Sequence, residues 1–290
     1  MTYYLGIDAG GSHCRSRLVD AQGAVLGMGE TGPANARIGM DKLYEVLLEV
    51  TRQATDAAGL TDADLASVHA GFGIAGISRP GIRDTIQQLD FPFASEIFET
   101  DGVIANLGAH RGCDGATLIL GTGSVAQIRV NGIDFAIGGY GFPISDEGSG
   151  AALGLSAVRH ALRALDGRSA RTALGLAVAD RFGQSVPKAI EWMDRAVPRD
   201  YAAIAPLVME FAETGDSVAR SIVEDAAQHV ERFIETIFER GAPRCALVGG
   251  IGPRMKNWLR ARTVEKLCDP KGDPLDGALQ LAGFKHPTAA

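Results

Sequence analysis

The chain opens with three short stretches whose hydrophobic pattern is typical of β-strands. Residues 3–9 are mostly apolar, residues 14–19 alternate between apolar and polar side chains, and residues 24–29 are apolar again. Glycines and a short polar turn separate the three stretches, and no amphipathic segment lies between them. Because alternation with a period of two and turn residues at the ends mark hairpins, we predict three consecutive strands.

The same pattern occurs again from Ala116 onward. An apolar run over residues 117–120 leads into a turn of glycine and hydroxyl residues, and residues 125–130 alternate. Asn131 and Gly132 then predict a two-residue hairpin turn into a third strand. Two copies of one pattern predict that the chain consists of two halves of the same design.

Helical periodicity accounts for most of the remaining sequence. The first half is predicted as β-β-β-α-β-α-β-α, with helices over residues 40–58, 81–89 and 102–110 and strands over 67–73 and 95–100. In the second half, residues 150–165 and almost all of residues 168–241 have a helical pattern that the first half lacks. A strand over residues 244–248 and a last helix over residues 275–284 follow. Helices that cover both faces of a sheet define an α/β class.

Composition narrows the classes of function. A length of 290 residues with 46 % hydrophobic residues suits two domains, each with its own core. A net charge of −7 predicts neither a nucleic acid nor an anionic membrane as partner. The four cysteines are scattered and form no C-x-x-C pair, which argues against a zinc site or a disulfide framework. With no basic leader and no apolar run of membrane-spanning length, we expect a cytoplasmic protein.

The two glycine turns are the first candidates for chemistry. Each joins strand to strand, so neither has the helix N-terminus with which a dinucleotide fingerprint or a P-loop binds phosphate. We expect their glycines to adopt positive φ angles, so that successive N–H groups converge on an anion, with Asp8 facing a phosphate-bound metal. One such turn alone could be an ordinary hairpin turn. Two of them could bind a polyphosphate from both sides.

Two further segments combine carboxylates with the start of a helix. Asp101 ends a predicted strand, where ligands of α/β sheets bind, and could act as a general base. It could also be a helix N-cap, and one carboxylate could serve both purposes. The segment 145–149 also precedes a helix, and its two carboxylates are more than one cap requires.

These motifs, taken in their order along the chain, carry a family resemblance. Asp8-x-Gly10-Gly11-Ser12, Thr100-Asp101, Gly121-Thr122-Gly123-Ser124, the glycine-rich segment 139–149 and Val248-Gly249-Gly250 follow one another. The chain resembles the ATPase superfamily of hexokinases, actin and Hsp70. More narrowly, it resembles the N-acetylglucosamine and glucosamine kinases that are grouped with the BadF/BadG/BcrA/BcrD ATPases. The resemblance extends over essentially the whole chain.

The resemblance implies two duplicated ribonuclease-H-like domains of the actin-like ATPase fold. It implies a cleft between them that closes over the sugar and excludes water. We expect an N-terminal domain over residues 1–110, on which a final helix at about 275–290 packs. We expect a C-terminal domain over residues 111–290, with a helical insert over residues 151–241.

Roles for individual residues also follow from the resemblance. It implies that ATP, with Mg²⁺, phosphorylates the 6-hydroxyl of a hexosamine and that Asp101 is the base. Asn35, Tyr140, Gly141 and Asp146 match residues that contact the sugar, together with Asp101, and Asp8 matches the carboxylate that holds Mg²⁺ through water. The residues that match the ATP site are Gly10, Gly11, Ser12, Gly121, Thr122, Gly123, Ser124, Ala212, Gly249 and Gly250.

The resemblance implies that the glycine-rich segment 139–149 lines the sugar, and we call it the sugar loop. In this loop the sequence departs from the family pattern. Members that phosphorylate N-acetylglucosamine often have Trp at the position of Tyr140 and Gly at that of Ser145. An ammonium group would favour a spare carboxylate such as Glu147, whereas an acetamide methyl would need an apolar pocket, for which Ile74, Ile77 and Phe142 are candidates. We therefore lean toward glucosamine. The cysteine-ligated zinc motif of ROK-type sugar kinases is absent from the sequence.

Two alternatives from other classes remain open. Relatives in the same ATPase grouping activate acyl-CoA dehydratases or reductases through an iron–sulfur cluster at a dimer interface. Cys113 is the cysteine nearest the junction of the halves, and no second cysteine lies near it in the sequence. A non-catalytic sugar or nucleotide sensor is the other alternative. A homodimer is left open as an assembly.

Overall fold

The computed structural model describes residues 1–11 and 13–285. The chain divides into two compact units, which are described one at a time. The first comprises Met1–Gly115 together with the segment that starts at Asp269, and the second comprises Ala116–Cys268. Among the described residues, no helix has both the length and the hydropathy needed to cross a membrane.

Ten strands and twelve α-helices make up the described chain. The strands are β1 Tyr3–Ala9, β2 Cys14–Asp20, β3 Val25–Thr31, β4 Val68–Ile74, β5 Ser95–Glu99, β6 Gly115–Leu120, β7 Ser124–Val130, β8 Ile133–Gly138, β9 Cys245–Val248 and β10 Leu267–Cys268. The helices are α1 Met40–Ala57, α2 Ile82–Ile86, α3 Asp101–His110, α4 Gly150–Leu165, α5 Ala173–Asp180, α6 Val186–Met193, α7 Pro198–Ala202, α8 Ala205–Glu213, α9 Ser217–Glu239, α10 Gly252–Met255, α11 Ala261–Val264 and α12 Pro274–Leu281.

The two sheets have the same topology. The first sheet has the order β3-β2-β1-β4-β5, and the second has the equivalent order β8-β7-β6-β9-β10. In each sheet a hairpin strand pairs antiparallel with its neighbour, and β4 with β1 and β9 with β6 pair in parallel. This confirms the predicted fold class of two duplicated α/β domains. The two-residue strand β10 was not predicted, because it is too short to leave a pattern.

The second unit differs from the first in the connection between its third and fourth strands. Helix α1 connects β3 to β4, whereas α4 to α9 lie between β8 and β9. The core of the second unit contains Leu118, Leu120 and Ile128 from its sheet, with Leu153 and Val230 from the added helices. The extra helices therefore enlarge the core of this unit.

The first sheet has helices on both faces. Leu5 and Ile7 of β1 belong to the same buried cluster as Leu43 and Leu47 of α1. Gly6 alternates with Leu5 and Ile7, so it faces the opposite side, where α12 lies. Helices α3 and α12 pack against each other and against this second face.

Helix α12 approaches its neighbours so closely that side chains would not fit. A Cβ atom on Gly71 of β4 would overlap the carbonyl oxygen of Ala278, and one on Gly277 would overlap the carbonyl oxygen of Ile104 in α3. Gly108 of α3 likewise meets the carbonyl oxygen of Asp273. Backbone therefore packs on backbone at three places, which requires glycine at each of them.

An arginine of β2 fixes the start of α12. The Arg17 Nη2 atom lies 2.6 Å from Oδ2 of Asp273, and Nη1 lies 2.7 Å from Oδ1 of Asp276. Asp273 also accepts the N–H of Asp276 at 2.9 Å and thereby caps the helix. Charge-assisted bonds of this kind, made by a partly buried guanidinium, add directional specificity to the glycine contacts.

We predict that Gly71→Ala destabilises the protein by about 1–3 kcal/mol, because the added methyl group must displace the α12 backbone. Urea unfolding followed by circular dichroism measures the change. Gly32→Ala is the matched control, since a Cβ at Gly32 meets no atom within 4 Å. Equal midpoints for the two variants would contradict the close packing of α12.

Candidate active site

Three strand ends form one edge of the first sheet. Because β1, β4 and β5 are parallel, their carboxyl ends lie at the same edge. The register aligns Asp8 with Gly73 and Gly73 with Glu99, in one row across the sheet. Asp101 follows two residues after Glu99, at the first position of α3. The predicted metal carboxylate and the predicted base are therefore brought to the same edge.

Gly73 allows α3 to approach this edge. A Cβ atom on Gly73 would overlap the side chain of Ile104, which occupies that space instead. Asp101 lies three residues before Ile104 and thus on the same side of the helix. Burial raises the pKa of the Asp101 carboxyl, although the residue remains accessible to solvent, and the negative charge of Asp8 raises it further. The charge of Asp8 therefore acts on Asp101.

Thr100, not Asp101, is the N-cap of α3. The Thr100 Oγ1 atom accepts the N–H of Val103 at 3.1 Å, and its backbone is extended. Asp101 Oδ1 accepts the N–H of Gly102 at 3.0 Å. The cap interpretation of Asp101 is thus wrong, since capping α3 does not depend on it.

Asn35 reaches the same edge from the loop after β3. It forms a parallel bridge with Ala75, and Ala75 donates its N–H to the carbonyl oxygen of Ala9 at 2.9 Å. The Asn35 Oδ1 atom accepts the N–H of Arg37 at 2.9 Å and caps a short 3₁₀ turn. The half-buried carboxamide is held in place by its oxygen, and its amide nitrogen is the group that can donate to a ligand.

The first glycine turn lies between β1 and β2. The Gly10 N–H donates to the carbonyl oxygen of His13 at 2.9 Å, and the Gly10 carbonyl accepts from Ala34 at 3.0 Å. Ser12, predicted as part of this turn, lies outside the described residues.

The predicted positive φ angles of the turn glycines are wrong. Gly10 and Gly11 have none, and neither do Gly121 and Gly123 of the second turn. Gly11 is exposed, and a Cβ there would meet no atom within 4 Å. Glycine is used at Gly11 because it has no side chain, and not because it can adopt a positive φ.

Asp8 has a partner that was not predicted. Arg15 lies opposite it in the β1–β2 register, and its Nη2 atom is 2.7 Å from Oδ2 of Asp8. Carboxylate oxygens are ligands that Mg²⁺ accepts, and this ion is usually held by one or two of them together with substrate phosphates. No group of three or more His, Cys, Asp or Glu side chains suited to a metal occurs in residues 1–11 and 13–285. The donor set at Asp8 therefore suits a cation that arrives with a nucleotide.

The second glycine turn is held by backbone contacts within the second unit. The carbonyl oxygens of Gly121 and Thr122 accept the N–H groups of Gly150 and Ala151, at 2.9 and 3.1 Å. These two donors begin α4, whose N-cap is Ser149. The Leu120 carbonyl accepts the N–H of Ile251 at 3.1 Å, which attaches the turn after β9 to the same place.

Asp146 joins the second turn to the loop that contains Gly141 and Phe142. Burial raises the pKa of its carboxyl, while N–H groups of Ser124, Phe142 and Gly141 donate to it and oppose that shift. Asp146 is buried and has a φ of 69°, a conformation that Asp tolerates better than most residues. The carboxylate thus anchors two loops, a structural role that the sequence did not predict.

The remaining predicted residues of the second unit differ in exposure. Tyr140 is 81 % exposed and Gly141 has a φ of 101°. Gly249 has a φ of 93°, and a Cβ there would overlap the Leu120 carbonyl, whereas Gly250 has open space. Ala212 lies in the hydrophobic core, so its side chain faces protein. Next to it, Glu213 pairs with Arg254 at 2.9 Å, which links α8 to the residues that follow Gly250.

The cysteines do not form a cluster site within the described chain. Cys14 and Cys245 are buried, and burial raises the pKa of each thiol to about 12. Cys268 donates to the carbonyl oxygen of Cys245 at 3.5 Å. Cys113 is exposed, in the loop after α3. Thiols with raised pKa values are poor metal ligands, because ligation requires the thiolate.

The duplicated topology, with a glycine turn after the first strand of each sheet, is that of the actin-like ATPases. Comparison with family models narrows this class. Residues 5–282 match the BadF/BadG/BcrA/BcrD ATPase family, and the chain belongs to that family.

Individual relatives cover nearly the whole chain. Glucosamine kinase GspK of Vibrio cholerae is 35 % identical over 283 residues, which are 98 % of this chain and 96 % of that protein. An N-acetylmuramic acid/N-acetylglucosamine kinase of Clostridium acetobutylicum is 27 % identical over 248 residues, 82 % of this chain and 80 % of the relative. A crystal structure from Chromobacterium violaceum, provisionally named as an N-acetylglucosamine kinase, has a TM-score of 0.90 and 32 % identity, with 97 % and 99 % of the two chains covered.

We predict that Gly123→Ala destabilises the ligand-free protein by about 1–3 kcal/mol, whereas Gly121→Ala does not. A Cβ on Gly123 would lie 2.8 Å from Oδ2 of Asp146, which three backbone donors hold in place, while one on Gly121 meets no atom within 4 Å. Thermal unfolding measures the difference. If Gly123→Ala and Gly121→Ala have the same melting temperature, Asp146 does not pack against the turn.

Proposed function

We propose that the protein is an ATP-dependent kinase that transfers the γ-phosphoryl group to the 6-hydroxyl of a hexosamine, with glucosamine preferred over N-acetylglucosamine. The observation that carries this proposal is the pairing of Asp8 and Asp101 at one sheet edge, beside the first glycine turn. Its family membership and relatives that are named as amino sugar kinases support it.

Asp101 is the proposed general base. Phosphoryl transfer requires an acceptor hydroxyl whose proton is removed as the bond to phosphorus forms. Asp101 is accessible to solvent, and a raised pKa makes its carboxylate a stronger base than an ordinary aspartate. Because Thr100 caps α3, Asp101 is available for this task without loss of the helix.

Phosphate and metal contacts are proposed for the neighbouring groups. Gly10 and Gly11 would allow the phosphates to approach the backbone, since they have no side chain there. Asp8 would hold Mg²⁺ through water, and the ion would offset negative charge on the phosphates. Asn35 would donate from its amide nitrogen to a sugar hydroxyl, as its oxygen already caps a turn.

In the second unit, proposed roles fall on the second glycine turn and on the sugar loop. Gly121 to Ser124, with Gly249, Gly250 and the backbone near Ala212, would contact ATP. Tyr140 and Gly141 would contact the sugar. Asp146 would contact the sugar as well as the loops, since a carboxylate can accept more hydrogen bonds than the three that backbone donors supply.

The preference for glucosamine rests on which groups are free to meet the 2-substituent. Ile74 and Ile77, two of the three apolar candidates for an acetamide methyl, are fully buried in the core of the first unit. Glu147 is half-buried, and one of its carboxylate oxygens contacts Ser145 Oγ only at 3.4 Å. A carboxylate whose hydrogen bond is this long can pair with an ammonium group.

We predict that Asp101→Asn lowers kcat by roughly 10²–10⁴-fold, while the affinity for nucleotide stays nearly unchanged. The amide cannot take up the proton of the sugar hydroxyl. Steady-state kinetics and calorimetric titration with ADP measure the two effects. Thr100→Ala is the control: loss of the cap lowers stability by about 0.5–2 kcal/mol but leaves the base in place. Near-normal turnover of Asp101→Asn would remove the general base from the proposal.

We predict a higher kcat/KM for glucosamine than for N-acetylglucosamine, and poor use of the epimer with an inverted 4-hydroxyl. A site that pairs buried polar groups with hydroxyls rejects an analogue that leaves them unpaired. Direct competition of the two sugars at equal concentration, with products separated by mass, measures the preference. A higher value for N-acetylglucosamine would reverse the assignment of the amine, and phosphorylation of neither sugar would refute the hexosamine.

A further inference from the structure

The ion pair between Arg15 and Asp8 lies at the surface of the site. Arg15 is 44 % exposed and Asp8 is 15 % exposed, so the arginine covers the carboxylate from the solvent side. Both residues lie on the face of the sheet that meets α3, and Arg15 is the second residue of β2, the strand that follows the first glycine turn. The guanidinium can therefore leave Asp8 without any rearrangement of the core.

Arg17, two residues along the same strand face, shows what a structural arginine looks like in this fold. It is 17 % exposed and its two terminal nitrogens make three hydrogen bonds to Asp273 and Asp276. Within residues 1–11 and 13–285, the Arg15 side chain makes one hydrogen bond, to Asp8. An ion pair whose arginine is largely exposed contributes less to stability than one in which both side chains are buried and fully bonded. The Arg15 guanidinium is therefore less constrained by the fold than that of Arg17.

The charge at this edge changes when a nucleotide binds. Asp8 and Asp101 already bring two carboxylates to one edge, and Arg15 offsets the charge of Asp8. The proposed ATP would add a third source of negative charge beside the glycine turn. A guanidinium presents a planar fork of donors that matches phosphate oxygens.

We propose that Arg15 exchanges its ion pair with Asp8 for the terminal phosphate of the bound nucleotide, which frees the Asp8 carboxylate for the role given above. The inference rests on the proposed function, because it requires that the first glycine turn binds the phosphates of ATP. Arg15 then distinguishes a nucleoside triphosphate from a diphosphate, since the diphosphate lacks the group that replaces Asp8.

The test compares two nucleotides in one experiment. Isothermal titration calorimetry in the presence of Mg²⁺ gives Kd values for ADP and for the non-hydrolysable analogue AMPPNP. We expect Arg15→Gln to weaken binding of AMPPNP by roughly tenfold or more and binding of ADP by less than about twofold. Arg15→Lys should lie between, because lysine keeps the charge but loses the fork. Arg52→Gln, which removes an exposed arginine from α1, is the matched control and should change neither value.

Each outcome decides the inference. Equal weakening of both nucleotides, or of neither, would overturn it and reduce Arg15 to a partner of Asp8. A selective loss for AMPPNP in a protein that phosphorylates no hexosamine would support the inference and refute the proposed substrate. If the native protein phosphorylates the sugar and Arg15→Gln has no selective effect on AMPPNP binding, the proposed function is supported and the inference is refuted. If the native protein binds neither nucleotide, both proposals fail.

Discussion

The backbone-to-backbone packing of α12 and α3 on the first sheet is the constraint on which the candidate site depends. Gly71, Gly108 and Gly277 leave no space for a side chain where these elements meet. This packing fixes α3 against the sheet, and Gly73 admits the side chain of Ile104, which lies one turn before Gly108. The first position of α3 thereby comes to rest beside the end of β1. Asp101 lies at the same sheet edge as Asp8 because several residues between the helices and the sheet have no side chains.

The same packing explains why two carboxylates can tolerate each other at one edge. Like charges at close range are unfavourable, and here the repulsion contributes to the raised pKa of Asp101. The N–H of Gly102 donates to Asp101 and opposes the shift, while Arg15 pairs with Asp8. The rigid glycine contacts hold α3 in place against the repulsion. The raised pKa of Asp101 persists because the fold does not allow the two charges to separate.

Much of the fold and of the candidate site could be predicted from the sequence, and what could not be predicted has physical reasons. The duplicated strands, the helical insert and the position of Asp101 at a strand end follow from hydrophobic period and turn residues. The N-cap role of Thr100 was missed because Asp101 is an equally good capping residue by type. The Arg15–Asp8 pair was within reach, since counting back through the β1–β2 hairpin places these residues opposite each other. The anchoring role of Asp146 was not, because its backbone donors come from two loops with no periodic pattern.

The repeat itself shows how the two units diverged. Four positions before the serine of each glycine turn, the first unit has Asp8 and the second has Leu120. Leu120 is fully buried in the core of its unit, whereas Asp8 carries a charge at a sheet edge. A carboxylate at Leu120 would be buried without a partner and would cost several kcal/mol. The second unit instead receives its carboxylate, Asp146, from a loop outside the repeated strands, where backbone N–H groups can satisfy it. The two units thus share the glycine turn, but their carboxylates stand at different places in the chain.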